Sequence, residues 1–389
     1  MGVVGLFLPL WINRQQGTTD ADLGLPIAMS MFVVLIISPF LGALTDQLKG
    51  SIRTLTLLNG AAVVATFFIG VSEKLVVGMA LFSTAFVAVY LAEVIYNTLL
   101  VGASTPRNIG KVGGIAIGLG FIGSLAVIGL ALQYQGVDPN YKLEFQVIAA
   151  LFFLMSVPIT FFYVEKKDSR NSSTQPVLQA TWEQIKRTRG YFQRYPQIAK
   201  FFMARYFYML AVTTSSTFGV LYGIKTIGFT ERQVEYLLLV GIIVSIPSAV
   251  FWGYLVDSLS PRITLRWNLL GWVFIFVGSV SIPWLNLDNQ LWWPLGALTG
   301  FCFGGLWVAD RPLLIELSPL NLGEMFGIYG TISRLAFLTG SFLWSLIVVT
   351  LDLGQPFAVF FLLCSSIIGL VLLIKLQQSP VLTSSDHRF

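Results

Sequence analysis

The sequence is poor in the residues that build metal centres and catalytic triads, with two cysteines and one histidine among 389 residues. Cys302 and Cys364 both lie in apolar segments, which argues against a disulfide framework or a zinc site. His387 lies in a polar tail, so a proton relay would have to use carboxylates. We therefore expect no cofactor, no metal and no enzymatic activity.

Nucleotide-binding patterns are also missing. No P-loop glycine pattern is present, so ATP is not expected to drive this protein. The run 118–123 matches the dinucleotide fingerprint Gly-x-Gly-x-x-Gly, but no strand precedes it and it lies inside an apolar helix. Together with Gly114, it is interpreted as a face on which small residues let membrane helices approach closely.

Charge is scarce as well, at 11% of residues against 55% apolar residues and 31 phenylalanines. A helix needs about 20 apolar residues to cross the hydrocarbon core, and it satisfies its own backbone hydrogen bonds, which lipid cannot do. Segments of this kind recur along the chain and predict an all-α integral membrane protein. The predicted spans are residues 24–45, 54–72, 75–99, 112–133, 144–164, 199–224, 234–256, 264–284, 291–313, 325–350 and 355–375.

Before these spans, residues 1–12 form an apolar stretch that covers about half of a bilayer. It lacks the basic start and the cleavage site of a signal peptide. The expectation is a truncated first helix, with a chain start placed too late or a shortened gene, and about 11.5 helices overall. The predicted domains are a bundle of six helices at 1–164, a linker at 165–198, a second bundle at 199–375 and a tail at 376–389.

Lysine and arginine are distributed unevenly between alternate loops, which sets the orientation. Sixteen of these residues, including Lys49 and Lys375, lie on one side, and five, including Lys74, lie on the other. The central loop and the C-terminus are therefore expected in the cytoplasm. The net charge of +5 is mostly this bias and does not indicate nucleic-acid binding. Residues 177–195 could form an amphipathic helix on the membrane surface or a solvated connector.

A short phrase occurs twice and shows that the two halves are built alike. Gly42 and Asp46, followed by Arg53, recur as Gly253 and Asp257, followed by Arg262. A second echo has identical spacing in both copies and consists of Pro106, Gly110 and Gly114, then Pro319, Gly323 and Gly327.

The repeated aspartates close their helices, and the positive N-terminal end of another helix attracts a carboxylate. The hypothesis is a pair of conformational latches on the cytoplasmic side, formed by Gly42, Asp46, Arg53, Gly253, Asp257 and Arg262. Solvated turn carboxylates are the alternative, because salt and water screen such charges.

Two halves of six helices with this repeated phrase resemble the major facilitator superfamily over the whole chain. The family signature has a basic residue directly after the aspartate, where this chain has Gln47 and Ser258. The resemblance implies that each aspartate meets a helix start in the other half, so by the pseudo-symmetry Asp46 is expected to meet residues 323–325 and Asp257 to meet residues 110–112. Further phrases are similar to the branch that contains the autophagy-related vacuolar amino-acid effluxer and its bacterial relatives. They are residues 38–42, 96–100, 204–208 and 310–314.

The resemblance implies a secondary transporter that rocks two bundles around a midplane site. It implies amino acids or similar polar metabolites as cargo. Protons are the candidate coupling ion, because a buried carboxylate can exchange protons near neutrality. A plasma-membrane location and a monomer are expected. This chain lacks the branch's Tyr-Asp-Trp phrase, and Met209 and Leu210 stand where the branch has an acidic residue. The alternative is a membrane scaffold, receptor or assembly factor on the same fold, which a missing half-helix would favour.

Polar residues inside the spans are the candidates for substrate binding or proton coupling, because charges in the bilayer are costly unless paired or wetted. They are Glu93, Tyr96, Asn97, Arg205, Tyr208, Asp310, Arg311 and Arg334. Shifting the second half back by the 213 residues that superpose Pro319 on Pro106 places Asp310 over Asn97. Glu93 is the first candidate for proton coupling, an exit-gate pair being the alternative. A purely structural pairing of Asp310 with Arg311, or of either with Arg334, remains open.

Overall fold

The computed structural model is helical throughout the part of the chain that it describes. The described residues are 20–47, 51–69, 71–72, 74–134, 141–162, 179, 182–183, 186, 190, 192–318 and 322–376. The expected half-helix at 1–12, the tail and most of the central linker lie outside them.

Eleven long helices account for nearly all of these residues. They are α1 (Asp20–Gln47), α2 (Ser51–Ile69), α3 (Leu75–Ala103), α4 (Ile109–Tyr134), α5 (Tyr141–Phe162), α6 (Pro196–Lys225), α7 (Glu231–Ser258), α8 (Pro261–Trp284), α9 (Trp292–Leu317), α10 (Leu322–Ser345) and α11 (Gln355–Ile374). Each is long and apolar enough to cross a membrane, and the prediction of an all-α membrane architecture is confirmed.

Local sequence explains where these helices begin. Pro196 opens α6 and Pro261 opens α8, since proline fits the first helical turn, where an N–H is not needed. Thr230 caps α7 in a capping box with Gln233, which satisfies two backbone donors reciprocally. At its far end, α10 continues as a π-helical turn over Leu346–Thr350.

The chain forms two compact units. The first consists of α1, α2, α3, α5, α4 from Ile122 onward and the beginning of α10 as far as Thr331. Its core includes Val34 and Leu41 of α1, packed with Leu55 of α2 and Ile95 of α3. Close packing of these side chains stabilises the unit through van der Waals contacts, since lipid provides no hydrophobic driving force between helices.

The second unit consists of α6 to α9, α11, α4 up to Phe121 and α10 from Ile332 onward. Close approach of backbones is its main packing device. Gly300 of α9 lies against Gly241 of α7, and Gly369 of α11 lies against Tyr208 of α6. Such contacts suit membrane proteins, where small residues rather than apolar bulk bring helices together.

Candidate functional site

The last turn of α1 contacts the first turn of α10 within the first unit. Gly323 N–H donates to Oδ1 of Asp46 at 2.7 Å, and Glu324 N–H donates to Oδ2 at 2.9 Å. The first N–H groups of a helix have no partner inside it, and the helix dipole favours a negative charge there. The carboxylate therefore caps α10 from another helix. We call this contact the first cap.

The second unit contains the equivalent contact between α7 and α4. Gly110 N–H donates to Oδ1 of Asp257 at 2.6 Å, and Lys111 N–H donates to Oδ2 at 2.8 Å. We call this contact the second cap. Both caps lie at the helix starts that the family resemblance and the pseudo-symmetry predict.

Reciprocal glycines make both caps sterically possible. A Cβ at Gly42 would overlap the carbonyl oxygen of Gly323, and a Cβ at Gly323 would overlap that of Gly42. Gly110 and Gly253 show the same relation. Any other residue at these four positions would force the two backbones apart, so glycine is required here by close approach.

The glycine face predicted along α4 has a mixed outcome. Gly114 lies against Ala249 and Gly253 of α7, and a Cβ on Gly118 would lie 3.3 Å from the Ile246 carbonyl oxygen. Gly120 and Gly123 have no such neighbour among the described residues. The close-packing face therefore ends at Gly118.

The two arginines of the repeat lie in different surroundings. Arg53 is exposed on α2. Arg262 is 6% exposed at the start of α8, and its Nη2 lies 3.7 Å from Oε1 of Glu316 at the end of α9. The repeated phrase did not predict Glu316 as the partner of Arg262, because the first half has no acidic residue at the matching position.

A buried ion pair lies at the centre of the second unit. Arg205 of α6 donates through Nη1 to Oδ2 of Asp310 on α9, and the two residues are 1% and 0% exposed. Neighbouring charges of opposite sign offset much of each other's desolvation cost. The sequence patterns did not predict this pairing, because they left Arg311 and Arg334 as the candidate partners of Asp310.

Two hydroxyl groups also contact the Arg205 guanidinium. Nη2 donates to Oγ of Ser333 on α10 at 2.8 Å, and Nη1 lies 3.4 Å from the hydroxyl oxygen of Tyr208. We call Arg205, Tyr208, Asp310 and Ser333 the Arg205 cluster. Sequence reasoning named three of these four residues and missed Ser333, since a single serine in a helix carries no distinguishing signal.

The remaining candidates lie outside this cluster. In the first unit, α3 carries Glu93, which is half-buried, Tyr96, which is 40% exposed, and Asn97, which is 3% exposed. In the second unit, Arg311 is half-buried on α9 and Arg334 is 4% exposed on α10.

Comparison with known proteins identifies the architecture. The family model described as Major Facilitator Superfamily matches residues 1–309. An uncharacterized MFS-type transporter, YxiO of Bacillus subtilis (strain 168), is 25% identical over 395 residues, covering 96% of this chain and 88% of YxiO.

Solved structures agree on the fold. A bacterial homologue of the iron transporter ferroportin in its outward-facing state matches with a TM-score of 0.72 at 15% identity, covering 96% of this chain and 94% of that one. The proton:xylose symporter XylE matches with a TM-score of 0.74 at 11% identity, covering 96% and 90%. Similarity at this level shows a shared fold. With the family match over most of its length, this chain belongs to the Major Facilitator Superfamily and is a multi-pass membrane transporter rather than an enzyme.

Proposed function

We propose that the chain is a secondary active transporter of small polar solutes that carry both a carboxylate and an amine, with amino acids as the first class to test. The observation that supports this proposal best is the buried pair of Arg205 and Asp310. A guanidinium binds a carboxylate through parallel hydrogen bonds, and a carboxylate binds an ammonium group. The cluster thus offers a guanidinium for the carboxylate of a zwitterion and a carboxylate for its ammonium group.

The energetics favour such an exchange of partners. Breaking a buried ion pair without replacement leaves an uncompensated charge, which costs about 3–5 kcal/mol. A zwitterion that inserts between Arg205 and Asp310 would give each residue a new partner of the right sign. Ionisable residues inside membrane spans are functional candidates by default, which also supports the proposal.

The two caps supply the conformational part of the proposal. We assign them to the cytoplasmic side, where their contacts hold that side closed and separate once per cycle of alternating access. In Asp46→Asn or Asp257→Asn, an uncharged amide would replace the carboxylate at the helix start. Slower transport with unchanged substrate affinity is expected, and unaltered turnover in both variants would contradict the latch role.

The proposal also includes the direction of transport, the coupling ion and the location. We propose export, which resemblance to the vacuolar effluxer branch supports, and coupling to protons. We place the protein in the plasma membrane with its C-terminus in the cytoplasm. Glu93 is the coupling candidate on α3. In proteoliposomes under an imposed pH gradient, Glu93→Gln is expected to uncouple solute movement from the gradient. Full coupling in that variant would remove Glu93 from the mechanism.

Ligand-dependent thermal stabilisation of the purified protein tests the cargo directly, because a bound substrate stabilises the folded state by mass action. A ligand at 100 times its Kd contributes about 2.7 kcal/mol. The panel contains amino acids, their decarboxylated amines, their deaminated acids and neutral sugars. Stabilisation by amino acids alone supports the proposal, whereas stabilisation by sugars alone, or by nothing in the panel, contradicts it.

The matched control for this panel is the double variant Arg205→Met with Asp310→Leu. It removes both charges together and leaves neither one unpaired. We expect this variant to fold and to lose its thermal stabilisation by amino acids. Undiminished stabilisation would place the binding site elsewhere.

A further inference from the structure

We infer that the buried face of α8 binds water molecules inside the second unit, between the side chains of Thr264, Asn268 and Trp272. These residues are four apart, so they lie one above another on one face of the helix. Their exposed fractions are 0%, 0% and 1%. Oγ1 of Thr264, Oδ1 of Asn268 and Nε1 of Trp272 each lack a hydrogen-bond partner within the part of the chain that the structure describes. We call these three residues the α8 row.

Comparable residues of the second unit do have partners. The hydroxyl of Thr299 donates to the Leu295 carbonyl at 2.8 Å, as threonine in a helix often does. Trp252 is 4% exposed, and its indole N–H donates to the Phe301 carbonyl at 2.9 Å. The α8 row departs from both patterns. A buried polar group that finds no partner in the protein is usually satisfied by bound water.

The spacing and the chemistry of the α8 row fit two bridging water molecules. Residues four apart on a helix have Cβ atoms about 6 Å apart, and one water molecule spans about 5 Å with two hydrogen bonds. Trp272 can only donate, and the amide oxygen of Asn268 can only accept, through two lone pairs. One water therefore accepts from Trp272 and donates to Asn268. The other donates to Asn268 and bonds the hydroxyl of Thr264.

A hydrogen bond to α9 fixes Asn268 and sets the depth of the α8 row. Nδ2 of Asn268 donates to the Cys302 carbonyl at 2.8 Å, which orients the amide and leaves its oxygen for the two waters. Because α8 and α9 run antiparallel, Thr264 lies about 6 Å from this contact along the axis and Asp310 about 12 Å, both in the same direction. The Thr264 end of the row is therefore the end nearer in depth to the buried ion pair.

Radiolytic hydroxyl labelling of the purified full chain in lipid nanodiscs detects water bound inside a protein. X-ray pulses convert bound water to radicals, which oxidise the side chains beside it. Trp344 is the internal reference for Trp272, since it is 5% exposed and stacks on Phe218 with 4.9 Å between ring centroids. We expect Trp272 to be oxidised severalfold faster than Trp344. Equal or slower oxidation of Trp272 would overturn the inference.

Substitution of the shared acceptor tests whether the α8 row holds this water. Asn268→Leu removes the amide oxygen, and the oxidation of Trp272 should fall to the rate at Trp344. The matched control is Thr299→Val, which removes a hydroxyl that is already bonded to its own helix, and it should leave the oxidation of Trp272 unchanged. Undiminished oxidation in Asn268→Leu would refute the role of the row.

Thermal unfolding of Thr264→Val gives a second measurement, which remains valid if Asn268→Leu fails to fold. If the hydroxyl binds water, valine loses that hydrogen bond and Tm should fall. If the hydroxyl is buried without any partner, valine removes its desolvation cost and Tm should rise or stay the same. A rise or no change would therefore contradict the water site. Neither result affects the proposed cargo, since Thr264 does not belong to the Arg205 cluster.

Discussion

Helices α3 and α9 occupy equivalent places in the two halves of the repeat, yet their interiors differ in charge. Asn97 of α3 is 3% exposed and neutral, whereas Asp310 of α9 is 0% exposed and paired with Arg205. Oδ1 of Asn97 has no hydrogen-bond partner among the described residues. The repeat thus places a neutral amide in its first copy where the second copy holds a carboxylate in an ion pair.

The difference shows where the free energy of a conformational change can be stored. An amide that loses one hydrogen bond costs about 1–3 kcal/mol, whereas a buried charge that loses its partner costs more. A solute that interacts with α9 can therefore shift an equilibrium further than one that interacts with α3. We expect substitutions at the two helices to differ accordingly.

The largest effect is expected from separating the charges on α9. Asp310→Asn and Arg205→Met each break the buried pair by removing one of its two charges, and each should lower the free energy of unfolding by about 4 kcal/mol. The double variant Arg205→Met with Asp310→Leu should recover most of this loss. Unfolding by SDS titration in mixed micelles measures all three. Single variants that lose less than about 1 kcal/mol would show that the pair contributes little.

A carboxylate introduced on α3 would give α3 the same buried negative charge as α9, but without the ion pair that Asp310 forms with Arg205. Asn97→Asp places a carboxylate on α3, a helix that contains no arginine. It should lower the free energy of unfolding by about 2.5 kcal/mol in the same titration. The uncharged control Asn97→Leu removes the amide and should change stability by less than 1.5 kcal/mol. If the aspartate is tolerated as well as the leucine, α3 already offers a compensating cation or water, and the contrast with α9 disappears.

The smallest effects are expected from the two hydroxyls around Arg205. Ser333→Ala removes a 2.8 Å bond to a charged group and should cost about 1.5 kcal/mol. Tyr208→Phe removes a 3.4 Å contact at the limit of hydrogen-bond geometry and should cost about 0.5 kcal/mol. Equal costs, or a larger cost at Tyr208, would mean that the guanidinium is held in another way than the distances indicate.

The sequence predicted the fold and the placement of the caps because both depend on repetition and helix ends. Apolar length predicts a span, and the family resemblance, applied to the echo of Gly42 and Asp46 in Gly253 and Asp257, relates each helix end to a helix start in the other half. Neither argument requires knowledge of how a helix is rotated about its axis.

The Arg205 cluster was harder to predict because it depends on that rotation. Arg205 and Asp310 are 105 residues apart, and a change of one residue in helix register would turn either side chain by about 100°. Arg311 was an equally good partner for Asp310 by sequence alone. Glu316, the partner of Arg262, and Ser333 could not be predicted from the sequence. Neither the repeat nor the set of charged residues within the spans distinguishes them from other residues of the same type.

The first cap also sets the earliest time at which the first unit can finish folding. Asp46 and Gly323 are 277 residues apart, so the ribosome needs about 15–55 s after making the aspartate before it makes the amide that the aspartate caps. The second cap joins residues 147 apart and can form after about 7–30 s. The first unit therefore waits for completion until residues 186–320 of the second unit have been made, because its own residues 322–331 follow them in the chain.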